Sequence, residues 1–141
     1  MKGALFSLLG GICITMQGIF NARMSDAIGG WHTTVMVHIV AFTIAMIIYI
    51  KVRDGKGKSF RNVPFLYLIG GSFGVIVVFS ELTAIHSIGP AAAIAILLVA
   101  QIGTAFIIES QGWFGEKRIP ITLRQGLGLT MMLAGVILFQ L

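Results

Sequence analysis

The chain has 141 residues, of which 57% are hydrophobic and only 11% are charged, with 18 glycines and one cysteine. A soluble domain carries about 25% charged residues, so this composition excludes an ordinary cytosolic enzyme, a disordered segment and a disulfide-stapled domain, and it indicates a polytopic membrane protein. The formal net charge of +5 does not indicate nucleic-acid binding, because the basic residues lie in loops between apolar runs and form no stripe with aromatic residues.

Five apolar segments follow one another along the chain, at about 4–22, 33–51, 64–88, 90–109 and 122–141. Each is close to the ~20 residues that an α-helix needs to cross a hydrocarbon core about 30 Å thick. Their residues do not alternate between polar and apolar as the ~10-residue strands of a membrane β-barrel do. The sequence therefore predicts an all-α fold, with residues 1–141 forming one domain of five transmembrane helices.

The basic residues of the loops predict the orientation of these helices. Arg23 alone lies on one side, whereas nine basic residues lie on the side of the N-terminus and of the second and fourth loops: Lys2, Lys51, Arg53, Lys56, Lys58, Arg61, Lys117, Arg118 and Arg124. Lysine and arginine accumulate in cytoplasmic loops. We therefore expect a multi-pass protein of the cell inner membrane with a cytoplasmic N-terminus and an external C-terminus.

Polar side chains inside the predicted spans are the candidate site residues, because an ionisable group at bilayer depth costs about 2.5–3.5 kcal/mol and usually faces a cavity or a partner. Gln17 and Asn21 are four residues apart on the first helix and share one face. That face suits substrate binding, packing against another helix, or both. His38, near the middle of the second helix, is a further substrate-binding candidate, although a hydrogen-bonded packing role is favoured over proton transfer.

Acidic and amide residues of the third and fourth helices complete the candidate set. Glu81 follows a long apolar stretch and lies in the outer half of the third helix. A carboxyl group held away from water can exchange a proton near neutral pH, so Glu81 is a candidate for cargo binding and proton coupling, the alternative being a neutral structural carboxyl. Gln101, near mid-membrane, is a candidate to bind substrate. Glu109 is a second candidate for proton coupling, or else an ionised interfacial residue.

Enzyme chemistry is not indicated by the sequence. The residues form no metal-ligand cluster at helical or loop spacing, no phosphate-binding glycine loop and no nucleophile–base pair. We therefore expect no catalytic site, no cofactor and no metal.

Three segments carry a family resemblance: MQGIFNARMSDAIGG at 16–30, IGPAAAIAILLVAQIGTAFIIESQGWFG at 88–115 and LGLTMMLAGVIL at 127–138. They resemble the YdcZ-type small membrane proteins of the drug/metabolite transporter superfamily over nearly the whole chain. The resemblance implies a compact helical transporter unit that is half of a larger ten-helix exporter.

The resemblance also bears on the candidate residues. The polar positions that match the family pattern are Gln17, Asn21, Gln101 and Glu109, the last standing where an aspartate is more usual. Glu81 departs from the pattern, because the family has a small or apolar residue there. The resemblance thus implies a shared polar path, and it leaves Glu81 as a feature of this particular protein.

Together these observations predict a secondary transporter that exports a small organic solute or cation by alternating access in a dimer of five-helix units. The expected partners are the lipid bilayer, a small-molecule substrate and a second copy or a homologous chain. The charge bias disfavours a homodimer of mixed orientation, which leaves a parallel homodimer or, preferably, a heterodimer with a homologue of opposite orientation. The alternative function is a non-transporting membrane subunit that stabilises or regulates a partner, in which the polar residues only join helices.

Cysteine labelling tests the predicted orientation. In a Cys13→Ala background, Gln140→Cys should react with a membrane-impermeant maleimide added outside intact spheroplasts. Lys51→Cys should react only after the membrane is opened, because a nine-to-one bias orients nearly every copy the same way. Comparable labelling of the two variants in intact spheroplasts would reveal mixed orientations and contradict the charge argument.

Overall fold

The computed structural model describes residues 1–52, 67, 69–115 and 117–140, and within this part of the chain all regular structure is helical. The five α-helices are α1 Lys2–Ile28, α2 Gly30–Val52, α3 Phe73–Ile88, α4 Pro90–Gln111 and α5 Leu123–Gln140. A short 3-10 helix, Ile69–Ser72, leads into α3, and another, Trp113–Gly115, follows α4.

The helices are long and apolar enough to cross a membrane. The five candidate spans contain 18 to 27 residues when the 3-10 turn before α3 is counted with that helix, which makes them about 27 to 40 Å long at 1.5 Å per residue. The prediction of an all-α protein with five membrane-spanning helices is thereby confirmed. The predicted start of the third span at Pro64 and the predicted end of the fifth at Leu141 lie outside the described residues.

Single glycines connect two pairs of consecutive helices. Gly29 stands between α1 and α2 with φ 86°, and Gly89 stands between α3 and α4 with φ 80°. Residues with a Cβ rarely adopt such angles, so these positions allow a helix to end and the next to begin without a longer loop. Pro90 then opens α4, where the amide hydrogen that proline lacks would have no helical partner.

The segment after α4 folds back to pair the last carbonyl groups of that helix. Gly112 adopts the left-handed conformation and donates its N–H to the carbonyl oxygen of Ile108 at 2.9 Å. The N–H of Ile119 reaches the carbonyl oxygen of Glu109 at 3.1 Å, and Nε of Arg118 reaches that of Ser110 at 3.2 Å. These contacts supply the partners that the end of a helix otherwise lacks.

The start of α5 is capped by side chains. The N–H and the hydroxyl of Thr122 both donate to Oε1 of Gln125 at 2.9 Å, and the N–H of Gln125 lies 3.4 Å from the Thr122 hydroxyl oxygen. This reciprocal arrangement is the capping box that a Thr-x-x-Gln sequence favours.

The described residues form two compact units, Met1–His86 and Ser87–Leu141. In the first unit α1 packs along α2, and in the second α4 packs along α5. The second unit has a small apolar core of Ala92, Ala93 and Val99. The first unit contains α1, α2 and most of α3, and its buried residues include all four of the buried polar side chains described below.

An aromatic stack joins α2 to α3 in the first unit. The rings of Trp31 and Phe79 lie 4.2 Å apart between centroids with an interplanar angle of 20°. A Cβ at Gly30 would lie 3.2 Å from Cε2 of Phe79, so the absence of a side chain at that position gives the Phe79 ring its place. Stacked aromatic pairs contribute about 0.5–1.5 kcal/mol beyond the area they bury.

A double-mutant cycle tests the contribution of this stack. Trp31→Ala and Phe79→Ala should each lower the free energy of unfolding in detergent, and the double variant should lower it by less than the sum. The difference is the coupling energy, expected at about 0.5–1.5 kcal/mol. Unfolding by dodecyl sulfate, followed by circular dichroism, provides the measurement. In the control cycle Trp31→Ala is combined with Phe73→Ala, an exposed α3 residue, and additive effects are expected; equal coupling in both cycles would contradict a specific role for the stack.

Candidate functional site

The buried face of α1 is narrow and partly polar. Its buried residues are Gly18, Asn21 and Ala22, and their spacing of three and four residues places them on one side of the helix. Asn21 is only 6% exposed, whereas Gln17, which the sequence pairs with it, is exposed. The structure thus separates the environments of the two amides of α1.

The buried face of α3 brings a carboxyl group against α1. Val78, Glu81, Leu82 and Ile85 are the buried residues of this helix, and Glu81 is 7% exposed. A Cβ at Gly18 would lie 3.1 Å from Cδ of Glu81 and would overlap its Oε1 atom. The carboxyl group therefore occupies the space beside the α1 backbone that a glycine leaves free.

Two adjacent threonines near the start of α2 are the most deeply buried side chains of the first unit. Thr33 is 0% and Thr34 is 1% exposed. The Thr34 hydroxyl donates to the carbonyl oxygen of Gly30 at 2.9 Å, which is the usual way for a helical threonine to pair its hydroxyl. The Thr33 hydroxyl oxygen, by contrast, has no hydrogen-bond partner in the part of the chain that the structure describes.

His38 lies one turn further along α2 and packs against α3. Its Nδ1 atom lies 2.7 Å from the carbonyl oxygen of Thr34, so the ring donates through this nitrogen. Its Nε2 atom would lie 3.2 Å from a Cβ at Gly74. The imidazole is therefore held by its own helix on one side and fits against a glycine of α3 on the other.

Among the described residues, three buried polar atoms of the first unit have no hydrogen-bond partner: Asn21 Nδ2, Thr33 Oγ1 and Glu81 Oε1. A buried polar group without a partner costs about 1–3 kcal/mol, so such groups are uncommon in a folded protein. The three atoms are an amide donor, a hydroxyl and a carboxyl oxygen, each of which can form a hydrogen bond with a polar solute. We refer to Asn21, Thr33 and Glu81 as the unpaired polar set.

A second contact joins the ends of α1 and α3. Nε2 of His86 lies 2.8 Å from Oδ1 of Asp26, and its Nδ1 lies 2.7 Å from the carbonyl oxygen of Leu82. Both side chains of the pair are about half exposed, so water screens the pair and its contribution to stability is small. The two helices are therefore joined by a buried contact at Glu81 and by an exposed, water-screened pair at their ends.

The remaining candidates, Gln101 and Glu109, belong to α4 in the second unit. Both are exposed, and a separation of eight residues rotates their side chains by about 80° around the helix. Glu109 lies near the end of α4, where its backbone carbonyl oxygen accepts the N–H of Ile119. Gln101 lies two turns earlier on α4. It is near Gly103, where an added Cβ would lie 3.8 Å from Cδ2 of Leu129 on α5.

Five helices that are apolar enough to cross a membrane define a polytopic membrane protein, and its first unit buries polar side chains. The chain belongs to the family described as "Putative inner membrane exporter, YdcZ", which matches residues 3–138. Membership confirms the resemblance seen in the sequence and the location in the inner membrane, and it makes this a transport protein rather than an enzyme, with the lipid bilayer and a small molecule as its partners. No match was found among curated proteins or among solved structures.

Two residues of this region were not identified from the sequence. Thr33 lies at the edge of an apolar span, where a threonine is unremarkable because its hydroxyl normally bonds to its own helix. Gly18 is one of several small residues on α1, and only its contact with Glu81 distinguishes it. The polar pair Thr33–Thr34, which begins three residues after Gly30, was a signal available in the sequence. The role of Gly18 required the tertiary structure.

The two threonines provide a matched test of the unpaired polar set. Thr33→Val removes a hydroxyl that has no partner, so it should raise the free energy of unfolding by about 1–3 kcal/mol. Thr34→Val removes a hydroxyl that is bonded to Gly30, so it should lower that free energy by about 0.5–1.5 kcal/mol. Unfolding in detergent measures both. Destabilisation of similar size in the two variants would show that the Thr33 hydroxyl is paired after all.

Proposed function

We propose that this protein is a secondary transporter that exports a small organic solute or cation across the inner membrane by alternating access. The observation that carries the proposal is the Glu81 carboxyl, which is 7% exposed and has an unpaired oxygen in a chain of an exporter family. An ionisable group in a membrane helix costs about 2.5–3.5 kcal/mol. Binding of a proton or a cationic cargo would explain why such a costly residue is present in the helix.

Each candidate residue has a role in this proposal. Glu81 binds either a proton or the cationic group of the cargo, and Asn21, whose amide donor is unpaired on the α1 face that meets Glu81, donates a hydrogen bond to the cargo. The other polar residues contribute along the path: Gln17, His38 and Gln101 by hydrogen bonding, and Glu109 as a second candidate for proton exchange.

The proposed working unit is a dimer, in which each chain acts as one domain of five helices, 1–141, with a cytoplasmic N-terminus. Gly128 and Gly135 of α5 support association, because they are exposed, lie seven residues apart on one helix face, and would place a Cβ in open space. Small residues let membrane helices approach closely. The nine-to-one charge bias favours pairing with a homologue of opposite orientation over a parallel homodimer.

Transport by reconstituted protein tests the role of Glu81. A thermal-shift screen in detergent, with primary, tertiary and quaternary amines and neutral polar solutes, first selects a cargo, because a ligand that binds the folded state raises its apparent stability. Uptake of that solute into vesicles under an imposed pH gradient is then measured. We expect Glu81→Gln to abolish pH-driven uptake, because glutamine cannot exchange a proton.

Asp26→Asn is the matched control for this experiment. It also neutralises an acidic residue of the first unit, but one that is exposed and paired with His86, so it should retain most of the uptake. Unchanged uptake by Glu81→Gln would remove Glu81 from the mechanism. Absence of any solute binding, together with a function that requires a second polypeptide, would favour the non-transporting subunit instead.

A further inference from the structure

The contact between Gly18 and Glu81 carries an inference that rests on the proposed function and deepens it. We propose that Gly18 is a positioning residue that builds a closed proton site: α1 and α3 close on the neutral Glu81 carboxyl, and the same closure keeps a cationic cargo away from it. The proton and the cargo then bind in different arrangements of the two helices.

Glycine is needed at position 18 for the space that it leaves, not for its backbone conformation. Gly18 lies within a regular helix and does not have a positive φ, so its backbone conformation is open to any residue and does not require glycine. What requires glycine is the neighbour: a Cβ would overlap Oε1 of Glu81 and lie 3.3 Å from Cδ1 of Ile85. The Glu81 carboxyl can reach the α1 backbone only because position 18 has no side chain.

No cationic side chain on the described parts of α1, α2 and α3 pairs with the Glu81 carboxyl. Other than Glu81 itself, the ionisable Lys, Arg, Asp and His side chains on the described parts of α1, α2 and α3 are exposed or hydrogen-bonded elsewhere. Exposed are Lys2, Arg23, Asp26, His32, Lys51 and His86. The half-buried His38 is bonded to its own helix and faces Gly74. A carboxylate buried without a paired cation is strongly unfavourable, so the closed contact accommodates the neutral acid, and a proton is the occupant that fits.

The closed contact excludes a cationic cargo from the Glu81 carboxyl. A cationic group that pairs with a carboxylate must approach to about 2.7–2.9 Å. In the closed contact the carboxyl lies beside the α1 backbone at Gly18, against which Ile85 also packs. Cargo can reach Glu81 only after α1 moves away from α3. Loss of the proton favours that movement, because it would otherwise leave a charge in the contact. Competition between proton and cargo is thus produced by the closing of two helices.

Distance measurements between α1 and α3 test this inference without any need for transport. Spin labels are attached at Phe20→Cys on α1 and Val77→Cys on α3, both exposed positions, in a Cys13→Ala background in lipid nanodiscs. We expect one short, narrow distance distribution at acidic pH and a longer, broader one at alkaline pH. Glu81→Gln, a neutral side chain of the same shape, should keep the short distance at both.

Two glycine variants complete the distance experiment. Gly18→Ala should give the long distance at every pH, because the Cβ displaces the carboxyl. Gly11→Ala, on the same helix but with no atom within 4 Å of the added Cβ, should behave like the parent. A parent distance that does not change with pH, or a Glu81→Gln variant that still responds to pH, would overturn the proposal. Because the distances are read whether or not a cargo moves, a failure of the transport function is distinguishable from a failure of this inference.

Thermal unfolding of a double variant separates the carboxyl contact from ordinary packing. Gly18→Ala alone should lower the unfolding midpoint in detergent, by about 4 °C or more. In a Glu81→Ala background the same substitution should cost little, because the atom that it overlaps is gone. An undiminished loss in that background would assign the effect to Ile85 and contradict the role of Gly18 in positioning Glu81.

Discussion

Hydrocarbon offers no hydrogen bonds to a polypeptide, and the architecture follows from this constraint. Backbone groups that cross a bilayer must pair within their own segment, so the described candidate spans are helices. Gly29 and Gly89 are single-residue connections, and the segment after α4 returns to bond the last carbonyl groups of that helix.

The same constraint applies to side chains and makes the exceptions informative. Thr15, Thr43 and Thr130 each donate their hydroxyl to a carbonyl oxygen one turn earlier, which satisfies a hydroxyl at no expense to packing. Asn21 and Glu81 are different, because they are buried and still hold atoms with no hydrogen-bond partner among the described residues. A sequence under no functional constraint would place apolar residues there, since an apolar side chain of the same shape is at least as stable. The unpaired polar set is therefore the part of the first unit whose structure is best explained by a function.

The sequence predicted the features that depend on local composition. Five spans follow from hydropathy, and the family follows from three short motifs. Which face of each helix is buried did not follow. In a soluble helix the apolar stripe identifies the buried face, but lipid permits apolar residues all round, so periodicity could not show that Asn21 would be buried and Gln17 exposed. Likewise Gly11 and Gly18 are equivalent in sequence, and only the approach of α3 distinguishes them.

The stabilising and destabilising contributions to the α1–α3 contact suit two helices that move relative to each other. The exposed pair between Asp26 and His86 is screened by water and adds little to stability. The buried contact at Glu81 includes an unpaired oxygen, which offsets part of what the burial of Ile85 and Leu82 contributes. Two conformations of a transporter must differ by only a few kcal/mol if a proton or a solute is to shift the population between them. A contact in which an unpaired group offsets part of the packing energy is suited to that requirement, whereas a fully paired, well-packed one would hold the helices in a single arrangement.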